Sequence, residues 1–80
     1  MWFLYLIECS NGALYAGITT DVEARYAKHA SGKGAKYTRA NPPQRLIGSI
    51  AFEDRSSASK AEYKIKQLPR AEKVAFLLGR

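Results

Sequence analysis

A chain of 80 residues has room for one sheet and a few helices around a single core, so we expect one domain spanning residues 1–80. Its composition is 46% hydrophobic and 25% charged, without a low-complexity tract or a repeat, which excludes a disordered or solenoid protein. The formal net charge of +6 favours a polyanion as the binding partner.

The apolar start of the chain, MWFLYLI, is too short for a membrane span or the hydrophobic part of a signal peptide. Glu8 interrupts it, and no basic region precedes it. The single cysteine, Cys9, excludes an internal disulfide and a cysteine-based zinc site. We expect it to be packed or half-exposed in a strand and not to act as a nucleophile. We therefore expect a cytoplasmic protein without a membrane partner.

The first two elements are predicted to form a β-hairpin. WFLYLIEC and ALYAGI are rich in residues that favour strands, and SNG separates them. A two-residue NG turn would point Tyr5 and Tyr15 to opposite faces of the sheet. A three-residue turn with Gly12 in the left-handed position would pair Ile7 with Tyr15 and put both tyrosines on one face. We predict the three-residue turn.

A helix is expected from about residue 21 to residue 30. Thr20 and Glu23 have the spacing of a capping box, and SGKG ends the helix. One face of this helix carries two polar side chains, Arg25 and His29, beside Val22 and Tyr26. This face is either awkward packing or the wall of a site.

The remainder predicts a loop, a strand and two helices. KGAKYTRANPP has no periodicity and reads as a loop, and RLIGSIAFE follows as a strand with Leu46, Ile50 and Phe52 able to share one face. SSASKAEYKIKQL and RAEKVAFLL are helices separated by Pro69. The order β-β-α-β-α-α predicts an α+β fold, an α/β sandwich in which helices flank a small three-stranded, mostly antiparallel sheet.

Between Ala24 and Phe52 the chain has no acidic residue and six cations. Such a one-sign surface attracts phosphate backbones, although it also occurs as a solvated face that only maintains solubility. We call residues 33–39 the basic segment. Its aromatic ring and hydroxyl favour nucleic acid, and its candidate substrate-binding residues are Lys33, Lys36, Tyr37, Thr38 and Arg39.

Two further residues have both a structural and a chemical interpretation. Glu62 has the spacing to cap a late-starting helix with Ser59, or it could form a surface ion pair or bind a metal. His29 is the only histidine, which excludes a multi-histidine metal site, and a lone histidine on a helix usually has a structural role. Arg25 lies one helical turn from His29 and discourages its protonation, which leaves the imidazole able to accept a proton.

The motifs together resemble the GIY-YIG endonuclease superfamily. FLY ends at Tyr5, YAG spans residues 15–17, Arg25 and His29 follow on one helix, and Glu62 lies on the next. The stretches LYAGITTDVEARYAKH, SGKGAKYTR and FEDRSSASKAEYKIKQL are similar to the small stand-alone bacterial branch of that superfamily.

This resemblance implies hydrolysis of a DNA phosphodiester bond with one divalent ion, Mg²⁺ or Mn²⁺, held by Glu62. By the same resemblance, Tyr5 helps to deprotonate the attacking water with the assistance of His29. Tyr15 and Arg25 position and stabilise the phosphate, and Gly17 lets the backbone approach it.

Two other functions remain open on the sequence. One is a nucleic-acid-binding module without catalysis that uses the basic segment. The other is an adaptor whose basic face binds an acidic protein. No sequence feature points to an oligomer, so a monomer is the default expectation.

Overall fold

The computed structural model of this protein describes residues 1–79. Within them, three strands and four helices follow in the order β-β-α-α-β-α-α: β1 Trp2–Cys9, β2 Leu14–Thr19, α1 Val22–Ala30, α2 Lys36–Ala40, β3 Pro43–Phe52, α3 Arg55–Lys66 and α4 Arg70–Leu77. The α+β fold with a three-stranded sheet and flanking helices is confirmed. The predicted loop was wrong in one respect, because it contains the five-residue helix α2.

The sheet has the strand order β2-β1-β3, and both strand pairs are antiparallel. The central position of β1 explains its run of buried apolar residues, since both of its faces are covered. Pro43 is the first residue of the edge strand β3, where a missing backbone donor is tolerated.

The predicted three-residue turn is confirmed. The Cys9 amide donates to the Ala13 carbonyl at 2.8 Å, and Gly12 adopts a φ of 82°. Ile7 pairs with Tyr15, and Tyr5 pairs with Gly17. The two tyrosines therefore lie on the same face of the hairpin, because pairing residues project to the same side.

Each face of the sheet carries its own core. Helices α3 and α4 cover the larger core, which contains Leu4, Leu6, Ala16, Ile65 and Leu77. On the other face, Val22 and Tyr26 of α1 pack with Tyr15 on a smaller cluster of Tyr5, Ile7 and Cys9. The predicted packing role of Cys9 is confirmed, since it is buried. The face of the sheet with the smaller cluster also carries buried polar side chains, and the candidate site lies on this face.

Local details correct three sequence interpretations. Asp21, not Thr20, caps α1, because its carboxylate accepts from the Ala24 amide at 3.1 Å. Asp54 caps α3 in the same way, so Glu62 lies inside the helix and does not cap it. A register shift in β3 separates Leu46 from the Ile50 face, which leaves Leu46 paired with Ile7 and exposed.

An ion-pair cluster ties the hairpin to the last helix. The Glu8 carboxylate on β1 accepts from Arg45 of β3 and from Arg70 of α4, each at 2.7 Å. Arg70 also donates to the carbonyl of Gly12 in the turn. Hydrogen bonds from Arg45 and Arg70 lower the pKa of Glu8 from 4.5. None of the helices in residues 1–79 combines the length and apolar composition that crossing a membrane requires.

Candidate active site

Tyr5 lies at the centre of the candidate site. It comes from the middle of β1 and is only 3% exposed, and its hydroxyl lies 2.9 Å from Nε2 of His29. Burial raises the pKa of Tyr5 above 10.0, and a hydrogen bond with Arg25 and its positive charge oppose the shift. The neighbouring Tyr15 phenol and the Glu62 carboxylate raise the pKa of Tyr5 further. The Tyr5 hydroxyl is therefore protonated in the free protein.

Gly17 makes the position of the Tyr5 side chain possible. Gly17 pairs with Tyr5 across the hairpin, and a Cβ atom at position 17 would overlap the Tyr5 hydroxyl and the adjacent ring carbon. The absence of a side chain at position 17 thus makes room for Tyr5, and Gly17 itself is buried.

His29 lies within the fold, on the last turn of α1, and is fully buried. Its Nδ1 lies 2.7 Å from the hydroxyl of Thr38, which in turn donates to the Ala35 carbonyl at 2.9 Å. Burial lowers the pKa of His29 below 6.5, and the positive charge of Arg25 lowers it further. The imidazole is therefore neutral at neutral pH, as the sequence indicated.

Gly34 gives His29 the space that Gly17 gives Tyr5. A Cβ atom at position 34 would overlap the imidazole and the Cα atom of His29. Gly34 was not predicted as a functional residue, because nothing in the sequence distinguishes it from an ordinary loop glycine.

Three more candidate residues surround this pair. Arg25, partly buried on α1, and Glu62 on α3 both lie near enough to Tyr5 to influence its pKa. The Tyr15 ring meets the His29 ring edge-on, with ring centres 5.3 Å apart. Glu62 lies on α3, which packs on the opposite face of the sheet from Tyr5. It is partly buried and forms an ion pair with Lys66 at 3.2 Å.

The residues of the basic segment separate into two groups. Lys33, Lys36 and Arg39 are exposed to solvent. Tyr37 stacks on Tyr15 with ring centres 6.2 Å apart, and its hydroxyl accepts from the Asn11 side chain at 2.9 Å. The contact from Asn11 in the hairpin turn to Tyr37 was not predicted, since nothing in the sequence brings the turn near α2.

The predicted role of Thr38 in binding a phosphate does not fit its position. Thr38 is fully buried, and both capacities of its hydroxyl are used, one by His29 and one by the Ala35 carbonyl. The Thr38 hydroxyl is enclosed by the protein and is not exposed to a phosphate. Thr38 instead contacts the imidazole on the side opposite Tyr5.

Comparison with known proteins identifies the family. The GIY-YIG catalytic domain matches residues 1–75, which is nearly the whole chain and includes every candidate site residue described above. The chain belongs to the GIY-YIG family.

Relatives of this GIY-YIG domain are UPF0213 proteins. One from Cupriavidus pinatubonensis is 53% identical over 94% of this chain and 83% of its own. The solution NMR structure of the UPF0213 protein from Bacillus halodurans is 49% identical and covers 91% of this chain and 79% of its own, with a TM-score of 0.55. A second NMR structure, of a protein from E. faecalis, is 42% identical over 92% of this chain and 79% of its own, with a TM-score of 0.62.

GIY-YIG nucleases generally use divalent metal ions. A single carboxylate, as here, fits an ion that prefers oxygen ligands and keeps several of its waters. Within residues 1–79 no three His, Cys, Asp or Glu side chains cluster. Glu62 is a partly buried carboxylate whose charge acts on Tyr5. Mg²⁺ is commonly held by one or two carboxylates together with waters and substrate phosphate oxygens. One partly buried carboxylate beside Tyr5 and Arg25 is compatible with that kind of site.

Proposed function

We propose that this protein is a metal-dependent endonuclease that hydrolyses a phosphodiester bond of DNA. The observation that carries the proposal is the hydrogen bond between two neutral groups, the Tyr5 hydroxyl and the His29 imidazole, beside a cation and a carboxylate. An acid–base pair of this kind, held next to Arg25 and Glu62, suits water attack on a phosphate.

The proton transfer is assigned to the protein's own side chains. The Tyr5 oxygen takes a proton from the attacking water while the Tyr5 proton passes to Nε2 of His29, so that the imidazole gains one positive charge. The water oxygen forms its bond to phosphorus as the bond from phosphorus to the leaving oxygen breaks. Neither tyrosinate nor free hydroxide has to accumulate, which matters because burial raises the pKa of Tyr5.

The charged residues stabilise the phosphate. Arg25 offers a planar guanidinium whose donors match phosphate oxygens. Tyr15, whose ring meets the His29 ring edge-on, would add a hydroxyl donor. Glu62 would hold Mg²⁺ or Mn²⁺, which supplies a Lewis acid that offsets the negative charge of the leaving oxygen. Lys33, Lys36 and Arg39 are exposed in the segment whose Thr38 contacts His29, and they would contact neighbouring phosphates.

Cleavage of labelled DNA by the Glu62→Gln variant tests the proposal. Wild type and variant are incubated with branched, flapped and plain duplex DNA and with supercoiled plasmid, with Mg²⁺ or Mn²⁺. Lys66→Ala is the matched control, since it breaks the same ion pair but keeps the carboxylate. We expect wild type and Lys66→Ala to cut and Glu62→Gln to bind without cutting. Full metal-dependent cleavage by Glu62→Gln would exclude the metal role of Glu62.

A non-catalytic nucleic-acid-binding module is the second candidate, and the three exposed cations of the basic segment favour it. The same experiment separates the two functions. Binding of DNA by wild type without cleavage on any substrate, with either metal, would favour the binding module over the endonuclease.

A further inference from the structure

We propose that Thr38 is the positioning residue that fixes the tautomer of His29, and thereby the direction of the proton transfer from Tyr5. The proposal deepens the endonuclease function and rests on it for its catalytic consequence. Thr38 does not reach the substrate, because it is fully buried behind the imidazole. It lies on α2, nine residues after His29, and α2 packs against α1.

The number of protons in the chain of hydrogen bonds determines the tautomer. A carbonyl oxygen only accepts, so the hydrogen bond at 2.9 Å to the Ala35 carbonyl uses the single proton of the Thr38 hydroxyl. The Thr38 oxygen must then accept from Nδ1 of His29 across 2.7 Å, which places the ring proton on Nδ1. Nε2 is left with a lone pair, and it accepts from the Tyr5 hydroxyl.

The opposite tautomer makes fewer bonds with the same atoms. If Nε2 carried the proton, Thr38 would have to donate to Nδ1 and would lose its bond to the Ala35 carbonyl. Only two of the three hydrogen bonds would then remain. The Tyr5 oxygen would accept a hydrogen bond from Nε2 of His29 instead of donating one. In that state Nε2 could not take the Tyr5 proton, so the proposed step would stop.

Surrounding contacts keep Thr38 and His29 at this distance. Gly34 lies against the imidazole, where a side chain would displace it. The Ala35 carbonyl also accepts the amide of Arg39, so the acceptor that orients Thr38 is itself held by the backbone of α2. A buried hydrogen-bond network favours a single arrangement of its protons only when every polar atom in it has a hydrogen-bond partner. No side-chain nitrogen or oxygen buried within residues 1–79 lacks one.

The ¹⁵N spectrum of the imidazole tests the tautomer directly, and the chain suits it because His29 is its single histidine. At a pH where the ring is neutral, we expect wild type to show a protonated Nδ1 and an unprotonated Nε2. Thr38→Val, which keeps the shape and removes the hydroxyl, should lose the Nδ1-protonated form, and Thr38→Ser should restore it. Backbone amide spectra establish that each variant is folded. An Nε2-protonated wild type, or a folded Thr38→Val with the wild-type pattern, would overturn the proposal.

Cleavage kinetics test the consequence for catalysis. We expect Thr38→Val to lower kcat at least about tenfold with KM unchanged, a part of the roughly 10²- to 10⁴-fold that acid–base catalysis contributes, and Thr38→Ser to recover it. If the wild type cuts DNA but its His29 is protonated on Nε2, this proposal would be overturned while the proposed endonuclease function would stand. A wild type with the expected tautomer and no cleavage would establish the tautomer alone and remove its catalytic role.

Discussion

The hydroxyl of Tyr5 and Nε2 of His29 lie 2.9 Å apart in the interior, although the two residues are 24 positions apart in the sequence. Burial acts on them in opposite directions, raising the pKa of the phenol and lowering that of the imidazole. Both changes favour the neutral pair, so moving a proton from Tyr5 to His29 is unfavourable in the free protein. A phosphate anion beside Arg25 would favour the imidazolium, because an opposite charge stabilises it. In the proposed reaction, proton transfer at this site would therefore be coupled to the arrival of the substrate.

Removal of the Tyr5 hydroxyl tests its role in that pair. We expect Tyr5→Phe to lower the cleavage rate at least about 10²-fold, since no oxygen remains between the water and His29. Loss of the donor to a buried ring nitrogen should also lower the free energy of unfolding by about 1 to 3 kcal/mol. Tyr63→Phe is the matched control, because Tyr63 is 72% exposed. Denaturant unfolding and plasmid cleavage measure both effects, and equal activities of the two variants would contradict the role of Tyr5.

The pH titration of His29 reports on Arg25. The pKa of His29 in the folded protein lies below 6.5, so His29 of the unfolded chain binds a proton first as the pH falls. The fold therefore loses stability as the pH falls below about 6.5. Arg25→Gln should raise the folded pKa but leave it below 6.5, since burial is the larger cause and remains. NMR titration of the imidazole measures the midpoint. Lys28→Gln, an exposed cation on the same helix, should leave it unchanged, and an equal shift in both variants would argue against a specific effect of Arg25.

Substitution of Gly17 tests whether its role is to make room for Tyr5. Gly17→Ala should cost about 1 to 3 kcal/mol in the free energy of unfolding, the usual range for overpacking, and should reduce cleavage by moving the hydroxyl. The penalty should be smaller in a Tyr5→Phe background, because one of the two overlapping atoms is then absent. A double-mutant cycle by chemical denaturation measures this coupling. Additive penalties would mean that Gly17 does not act through Tyr5.

Much of this arrangement could be predicted from the sequence, because it rests on short-range patterns. The SNG turn fixed the hairpin register, and that register alone put Tyr5 and Tyr15 on one face. Spacing on α1 brought Arg25 close to His29, and the lowered pKa of the histidine follows from that spacing and from burial.

The features that the sequence did not reveal depend on long-range packing. Thr38 and Gly34 lie in a stretch that reads as a polar loop, and their packing against His29 depends on α2 folding back on α1. The cap at Asp21 was missed because two neighbouring residues, Thr20 and Asp21, can both cap a helix and only the backbone geometry decides between them.

Glu8 should make the stability of the fold depend on pH in acid. Its folded pKa is depressed by Arg45 and Arg70, so the stabilisation is present above the unfolded value of about 4.5 and is lost as the pH falls through the lower folded value. We expect Glu8→Gln to be less stable than wild type at neutral pH and the difference to shrink towards pH 3. Thermal unfolding across that range measures it. A difference that stays constant with pH would mean that Glu8 acts through packing and not through charge.

The salt dependence of DNA binding tests the basic segment. The logarithm of DNA affinity falls linearly with the logarithm of the salt concentration. For every duplex phosphate that the protein no longer neutralises, this slope should become shallower by about 0.9, because fewer counterions are released on binding. We expect Lys36→Gln and Arg39→Gln each to reduce the slope, since both side chains are exposed beside Tyr37 and the candidate site. Lys73→Gln removes the same charge from α4, which packs on the opposite face of the sheet, and should leave the slope unchanged. Fluorescence anisotropy at several salt concentrations measures all three. If the three variants change the slope equally, the protein binds DNA through its net charge, and the basic segment is not the contact surface.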